Sequence, residues 1–451
     1  MSNKHLHSHL KERHRMKLKT LTTAMILATV PMTGAFAAAL DRSGQSISAF
    51  LQPGNYFEAG ISVLDPNVSG KVRNGYTPNA ALPASSAGLQ NTSVGEMAGD
   101  YYFPSAALKL QVTDNFSFGL IYDQPFGAEA EYSTGTQKTT ALPGPLAPLG
   151  NQGAFHNGTE GTSVEVKSQS ISMLFGYQPT ENFNFYAGPV YQTIEGDVQL
   201  RGLAYGGSTA FGGYNASIKE TGDVGWLAGA AYQIPEIALK ASVTYRSEID
   251  HKTTVDESSI AALGQNAGTL ININNGLGKT EITTPQSVNL DFQTGIMANT
   301  VAFANVRWVN WKDFSIRPYA FGKAAEHPLV AASTGKQDGF DLVAYTDDQW
   351  SANVGVGRKL NDQWAGNVSV GWDSGAGNPV TTLGPTEGYW NVGLGAQFSP
   401  TPQTFIAGGV KYFWLGDAKA QSAAQFDTAN YVAEFKDNHA IAYGLKMGYK
   451  F

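Results

Sequence analysis

The chain has 451 residues, of which 15% are charged and 11% aromatic, and it is rich in glycine with 51. It contains no cysteine, which excludes disulfide frameworks, thiolate metal sites and cysteine nucleophiles. The net charge of −7 makes the chain acidic, and because acidic surfaces repel phosphate backbones, nucleic acid is not an expected partner.

The first 37 residues have the features of a secretory signal peptide. Lys17 and Lys19 precede an apolar stretch over 21–30, and Ala35 and Ala37 flank a small-x-small cleavage site. The apolar stretch is shorter than the roughly 20 residues that a spanning helix needs. We expect residues 1–37 to be removed, with those before Met16 as an upstream extension. The mature chain then has 24 basic and 36 acidic residues, a net charge of −12.

From residue 53 to the end, runs of about ten residues alternate apolar with small or polar side chains. This period of two predicts strands with two different faces. Many runs end in an aromatic residue, as is typical of strands that reach a membrane interface. We predict fourteen strands, near residues 56–65, 104–113, 116–126, 167–178, 183–196, 223–233, 237–247, 286–297, 301–311, 349–360, 364–373, 389–398, 404–412 and 439–451.

Short and long connections alternate strictly along these strands. All short turns then lie at one end of the sheet and all long loops at the other, which a soluble sandwich has no reason to do. We therefore predict an all-β protein over residues 53–451: a transmembrane, antiparallel, up-and-down β-barrel with short periplasmic turns and long extracellular loops. The last strand ends in Tyr449 and Phe451, which we interpret as the signal that the barrel assembly machinery recognises.

Several short segments, in order along the chain, resemble the FadL-like family of outer-membrane long-chain fatty-acid transporters. The first is the run YFEAGISV at 56–63, followed by DPNVSG at 65–70. The others are 123–127, 244–248, Trp308 with Trp311, and Trp372-Asp373 followed by Pro379.

The resemblance implies a barrel plugged by an amino-terminal hatch, with ligands captured at outer loops and released sideways through a break in the third strand. Here the hatch is shortened to residues 38–52 and lacks the Asn-Pro-Ala turn of the family. The loops at 197–222 and 248–285 are the expected capture loops.

The predicted lateral exit consists of five consecutive residues at the end of the third strand. Proline donates no N–H to a ladder and glycine tolerates bends, so either the wall opens here or the strand simply ends. The residues are Asp123, Gln124, Pro125, Phe126 and Gly127.

The parity of the strands also predicts which side chains face the lumen. Arg246 and Arg307 are the candidates to hold a carboxylate, because a guanidinium can bind it through two hydrogen bonds. Alternatively they pair with neighbouring acids such as Asp291. The candidate apolar ligand-binding positions, which could equally pack against a small plug, are Ile121, Leu174, Leu227 and Phe303.

No motif of a hydrolase, nucleotide-binding enzyme or zinc protease occurs, so we predict no catalytic residues and no cofactor. Acids in the predicted loop, Asp338, Asp341, Asp347 and Asp348, lack the spacing of a calcium site, so no metal is expected.

We predict an integral, multi-pass protein of a Gram-negative outer membrane, whose partners are the surrounding lipid and hydrophobic small molecules. Long-chain fatty acids are the first expected ligand and aromatic hydrocarbons the second. The alternatives are a general porin for small polar solutes and a surface receptor or adhesin barrel.

Overall fold

The computed structural model describes residues 40–77, 86–135, 137–141, 150–207, 211–259 and 278–451. The predicted signal peptide lies outside them. Fourteen strands form the barrel wall. They are β1 Tyr56–Asn67, β2 Tyr101–Gln111, β3 Phe116–Asp123, β4 Ser163–Tyr177, β5 Phe183–Gln199, β6 Tyr214–Ile234, β7 Leu239–Arg246, β8 Ser287–Met297, β9 Thr300–Val309, β10 Gln349–Lys359, β11 Trp364–Asp373, β12 Glu387–Phe398, β13 Thr404–Gly416 and β14 His439–Lys450.

Each strand pairs antiparallel with the next one along the chain, and β14 pairs with β1 to close the barrel. The closing ladder runs from Tyr56 opposite Lys450 to Asn67 opposite His439. The fourteen-stranded antiparallel barrel predicted from the sequence is thereby confirmed.

The two faces of the wall differ as the alternation predicts. Along β14, Tyr443, Leu445 and Met447 are exposed on the outside, whereas Ala440 and Ala442 are fully buried. In β12, Trp390 and Phe398 belong to the two aromatic belts. Eight residues at about 3.4 Å each, tilted by about 40°, separate these belts by roughly 20 Å, close to the apolar band of such barrels.

Seven strands are longer than predicted, and the largest difference is in β6, which starts nine residues before the predicted residue 223. Beyond the outer belt, β4, β5 and β6 continue as a ribbon whose exposed side chains include Lys219, Glu220 and Asp223. The apolar half of the alternation is lost there because this face no longer meets lipid. The ribbon is extended by Gly127–Glu131 on β4 and by Val255–Ser259 on β6.

The long connections fold into a cap over the outer end of the barrel. Its largest sheet has the order Val380–Thr381, Ala418–Gln421, Ala433–Phe435, Ser69–Val72 and Ser93–Glu96. Three two-stranded pairs are Ile249–Thr253 with Thr280–Thr284, Ser315–Ile316 with Val343–Ala344, and Thr140–Ala141 with Asn151–Gln152. The short 3-10 turns, which include one at a periplasmic connection, are Ser86–Leu89, Leu203–Tyr205, Phe211–Gly213, Pro235–Ile237, Trp311–Asp313 and Ala423–Gln425.

Two helices also belong to the cap, α1 Tyr319–Ala325 and α2 Pro328–Thr334. No helix in the described part of the chain is long and apolar enough to cross a membrane.

A buried carboxylate fixes the start of α1. Glu257 accepts hydrogen bonds from the backbone N–H of Ala320 at 2.8 Å and of Phe321 at 2.7 Å. These first-turn groups have no partner inside a helix, and the positive end of the helix dipole favours the negative charge. Tyr214 of β6 donates a third bond to Glu257 at 2.8 Å. The helix is thereby held against the ribbon.

Replacing Glu257 by alanine should loosen the cap without opening the barrel. Each hydrogen bond to a buried charged group stabilises by about 1.5–3 kcal/mol. We expect faster cleavage of the region 311–345 in limited proteolysis, with unchanged heat-modifiable migration of the barrel. Glu236→Ala, at an exposed position in a periplasmic turn, is the control. Equal proteolysis rates for the two variants would show that Glu257 does not hold the cap.

Candidate functional site

The chain segment before β1 lies inside the barrel. Leu40, Ile47 and Phe50 are buried, and the segment runs from the middle of the β3–β4 wall to Asn55 at the periplasmic end. We call residues 40–55 the hatch; they include the described part of the predicted hatch remnant, 38–52. With so few residues, the hatch fills only part of the lumen.

Phe50 anchors the hatch on β3 and β4. Its ring lies directly against the inward faces of Gly119 and Gly176, where any side chain would collide with it. It also meets Tyr186 edge to face, with ring centroids 5.7 Å apart. Glycine at these two positions therefore makes room for a hatch aromatic.

The predicted apolar ligand positions divide into two groups. Ile121, Leu174 and Leu227 belong to one buried cluster with Ile47 and other hatch residues. They pack against the hatch, which is the alternative that the sequence left open. Phe303 instead lies over Gly355, and it lines a cavity beside the hatch that Ile121 also borders.

Arg307 holds the start of the hatch through an ion pair that the sequence analysis missed. Its Nε lies 2.7 Å from Asp41 Oδ2, with both side chains 3% exposed. The guanidinium also donates to Asn289 at 2.6 Å and to Gln45 at 3.0 Å. Asp291, the expected partner, accepts from Asn305 at 2.7 Å instead. Asp41 stands alone in a short polar stretch, so no periodic pattern could identify it.

Arg246 contacts the hatch as well. It donates to the Gln45 carbonyl at 2.9 Å and lies 3.4 Å from the Ser172 hydroxyl. Its Nε has no hydrogen-bond partner in the structure. Both predicted carboxylate-binding arginines are therefore buried under the hatch.

The wall is interrupted at the predicted exit. The ladder between β2 and β3 ends at the pair Ala106–Tyr122, and the ladder with β4 ends at Asp123–Ser170. Pairing with β4 resumes at Gly127 opposite Lys167. β3 therefore ends at Asp123, and a separate short strand, Gly127–Glu131, continues the pairing with β4. Gln124, Pro125 and Phe126 form the break between the two strands.

Hatch and side chains fill this break. The Arg42 N–H donates to the Pro125 carbonyl at 2.7 Å, and the Gly127 N–H donates to the Leu40 carbonyl at 2.8 Å. The Ser168 hydroxyl accepts from the Phe126 N–H at 2.8 Å and donates to the Phe126 carbonyl at 2.7 Å. The hatch and Ser168 therefore satisfy the Pro125 carbonyl, both backbone groups of Phe126 and the Gly127 N–H.

Tyr101 of β2 closes the upper part of the gap. Its hydroxyl accepts from the Glu129 N–H at 2.6 Å and donates to the Glu129 carbonyl at 2.7 Å. The Arg42 guanidinium lies over its ring, 5.0 Å from the centroid. The Tyr101 side chain thus takes the place of one backbone-to-backbone pair between neighbouring strands.

Besides a cavity at its periplasmic end, the hatch borders two cavities deeper in the barrel. The lower has a volume of about 160 Å³ and is bordered by Ile47, Lys240, Asp291 and Phe303 among others. The upper, at the break, measures about 40 Å³. A cavity that binds benzene has on the order of 150 Å³, so the lower cavity is large enough for such a ring and the upper is not.

The upper cavity is apolar and almost uncharged. Its lining includes Leu40, Met97 and Ile316, and burial raises the pKa of the Tyr345 phenol, which therefore stays neutral. Arg42 and Glu129 are the charged groups among its lining residues.

The predicted assembly signal lies on the outer face at the periplasmic end. The rings of Tyr449 and Phe451 are exposed and stacked, with centroids 5.6 Å apart. Recognition by the assembly machinery stays a prediction.

Comparison with known proteins agrees with this architecture. Residues 150–451 match the profile of the family "Outer membrane protein transport protein (OMPP1/FadL/TodX)". The chain belongs to this family. As a member, it is an integral outer-membrane protein of a family that transports hydrophobic compounds, and not an enzyme. No curated protein matches the sequence.

Solved structures share the fold at low sequence identity. A FadL homologue from Pseudomonas aeruginosa has a TM-score of 0.62 at 14% identity, over 88% of this chain and 91% of its own. The Pseudomonas putida toluene transporter TodX has a TM-score of 0.55 at 14% identity, over 93% and 92%. The CymD monoaromatic hydrocarbon channel has 0.51 at 12%, over 93% and 96%.

Replacing Arg307 by alanine should release the hatch. Removing one member of a buried ion pair leaves an uncompensated charge and costs on the order of 3–5 kcal/mol. We expect the variant to show frequent large openings in planar bilayers, while the wild-type protein stays closed. The double variant Asp41→Ala/Arg307→Ala should open less often than Arg307→Ala alone, because no buried charge is left unpaired.

Lys252→Ala, which breaks an exposed ion pair with Glu281, is the control. Conductance of Arg307→Ala at the level of this control would contradict the role of the pair in holding the hatch.

Proposed function

We propose that this protein takes up hydrophobic small molecules, with long-chain fatty acids first and aromatic hydrocarbons second, and releases them sideways near β3. One observation carries the proposal: the wall is broken at residues 124–126, and the hatch occupies the break beside an apolar cavity. A barrel strand is interrupted at a cost in backbone pairing, so a break that is filled by the hatch and by side chains, and not by a paired strand, favours a passage.

The ligand class depends on the cations near the cavities. Arg307 is committed to Asp41, and Arg246 contacts the hatch backbone. Arg42 borders the upper cavity, and a guanidinium there suits the carboxylate of a fatty acid. The apolar remainder of the lining suits a hydrocarbon tail or an aromatic ring equally, so the headgroup decides between the two ligand classes.

The exit requires a movement of the hatch. The upper cavity is too small for a ligand as it stands, and Leu40, Arg42 and Tyr101 lie between it and the gap. Displacing these residues joins the cavity to the lipid-facing side of β2 and β3. A ligand with low solubility in water then enters the membrane without crossing the periplasmic end.

Replacing Arg42 by glutamine separates the two ligand classes. Loss of a charge-assisted hydrogen bond costs about 1.5 kcal/mol, so we expect uptake of labelled oleate to fall about tenfold. Toluene uptake should stay within a factor of about two, because it offers no charge. Both are measured in a deletion strain that carries either the wild-type or the variant gene.

Unchanged oleate uptake in the deletion strain itself would refute the fatty-acid proposal. Loss of toluene uptake alone would leave aromatic hydrocarbons as the ligand class. Steady nanosiemens-scale conductance of the wild-type protein would favour a porin instead.

A disulfide across the gap tests the sideways exit. Ala98 and Ala130 are bridge partners at its upper edge, and the chain has no other cysteine to interfere. Antiparallel partners have Cα separations of about 4.5–5.5 Å, which a disulfide spans. In Ala98→Cys/Ala130→Cys, oxidation should lower uptake to a small fraction, and reduction should restore it.

The matched control is a pair in the closed wall. Val243 and Leu290 are opposite each other on β7 and β8, both exposed to lipid. Uptake by Val243→Cys/Leu290→Cys should not respond to oxidation. If the gap pair behaves like this control, the ligand leaves by another route.

A further inference from the structure

The lipid-facing wall carries a groove near its periplasmic end, away from the break in β3. A row of outward positions crosses four strands: Arg358 of β10 is opposite Gly366 of β11, which is opposite Ala396 of β12, which is opposite Gly408 of β13. Larger side chains border the row on both sides. They are Val368, Leu394 and Val410 towards the membrane centre, and Trp364, Phe398 and Ile406 towards the periplasm. The open space has a volume of about 580 Å³.

The two glycines of this row are not required by the packing of the wall. A Cβ at Gly366 would meet nothing closer than the Gly395 carbonyl at 3.5 Å, and one at Gly408 nothing closer than the Gly444 carbonyl at 3.4 Å. The lumen-facing Gly393 is different, because a Cβ there would lie 2.7 Å from the Ser369 hydroxyl. The missing side chains at Gly366 and Gly408 therefore shape the outer surface.

Arg358 places a positive charge at one end of the groove. Its side chain is exposed on the lipid face, and no hydrogen bond or ion pair to another described residue involves its guanidinium. The adjacent Lys359 faces inward and pairs with Asp362 at 3.0 Å. Arg358 lies just above the periplasmic turns, since the Lys359 N–H donates to the Asn299 carbonyl at 2.9 Å.

At this depth a long basic side chain extends to the headgroup region, where phosphate is the available anion. A guanidinium binds phosphate through two parallel hydrogen bonds. Strands lie about 4.8 Å apart, so the row from β10 to β13 is about 14 Å long. That is close to half of the roughly 30 Å hydrocarbon core, the thickness that one acyl chain covers.

We propose that this groove binds one glycerophospholipid of the periplasmic leaflet. Its phosphate lies on Arg358, and one acyl chain lies across Gly366, Ala396 and Gly408. A second copy of the chain fits less well. The residues that line the groove include no acid, so an isologous contact would bring two Arg358 side chains together without a counter-charge.

Native mass spectrometry of the delipidated full-length protein tests the proposal, with a phosphatidylglycerol as the probe and diacylglycerol as its phosphate-free match. We expect one retained phosphatidylglycerol per barrel and little diacylglycerol. Arg358→Gln should weaken phosphatidylglycerol binding about tenfold, and Gly366→Leu/Gly408→Leu should abolish it by filling the groove.

Ala228→Leu adds similar bulk to a lipid-facing position on β6 and should bind lipid as the wild type does. Heat-modifiable migration verifies that each variant folds. Binding that survives both groove variants, or equal binding of diacylglycerol, would overturn the proposal. So would a dimer in sedimentation that the groove variants convert to a monomer, since a second copy would then occupy the groove. Oleate and toluene uptake play no part in this test, so its result is independent of the transport proposal.

Discussion

In the hydrocarbon core no water is available to a backbone N–H or C=O, and each unpaired group costs several kcal/mol. The closing ladder between β1 and β14 meets this constraint, because it leaves no free strand edge in the described wall. The interruption at β3 would violate it. There, groups from outside the ladder bond to the backbone around the break: the Ser168 hydroxyl, the Tyr101 hydroxyl and the hatch backbone at Leu40 and Arg42.

The hatch is consequently part of the wall as well as a plug. Its backbone bonds to Pro125 and Gly127 satisfy the break, while its Asp41 carboxylate is held by Arg307 on the opposite side of the lumen. Moving the hatch start therefore exposes polar groups at two places at once.

The sequence predicts the parts of the structure that repeat. Alternation of apolar and polar side chains repeats fourteen times, and each repeat reports the same contrast between lipid and interior, so strand number and facing could be predicted. The parity also places Arg246, Arg307 and Leu174 in the lumen. What lies opposite them could not be predicted, because lumen contacts join residues far apart in the chain. Arg307 and Asp41 are separated by 266 positions.

Tyr101 and Glu257 illustrate the same limit outside the lumen. Each side chain bonds to backbone groups that have no backbone partner nearby. Tyr101 does this for the Glu129 backbone at the break, and Glu257 for the first turn of α1. Where a side chain takes this role depends on which backbone groups of a loop or strand lack a hydrogen bond. The sequence around a tyrosine or a glutamate does not reveal this. The break in the ladder, by contrast, could be predicted, because Pro125 disturbs a ladder by its own chemistry.

Glycine has opposite roles on the two faces of this barrel. At Gly119 and Gly176 an added side chain would displace Phe50, so these positions leave the space in which a short hatch lies directly against the wall. At Gly366 and Gly408 an added Cβ would make only ordinary van der Waals contacts, so these positions shape what the wall offers to lipid. A glycine in the sequence indicates neither role unless it is known which face of the wall the residue lies on. The alternation shows which face each glycine lies on. The space around that glycine then shows whether it makes room for packing inside the barrel or shapes the surface that meets lipid.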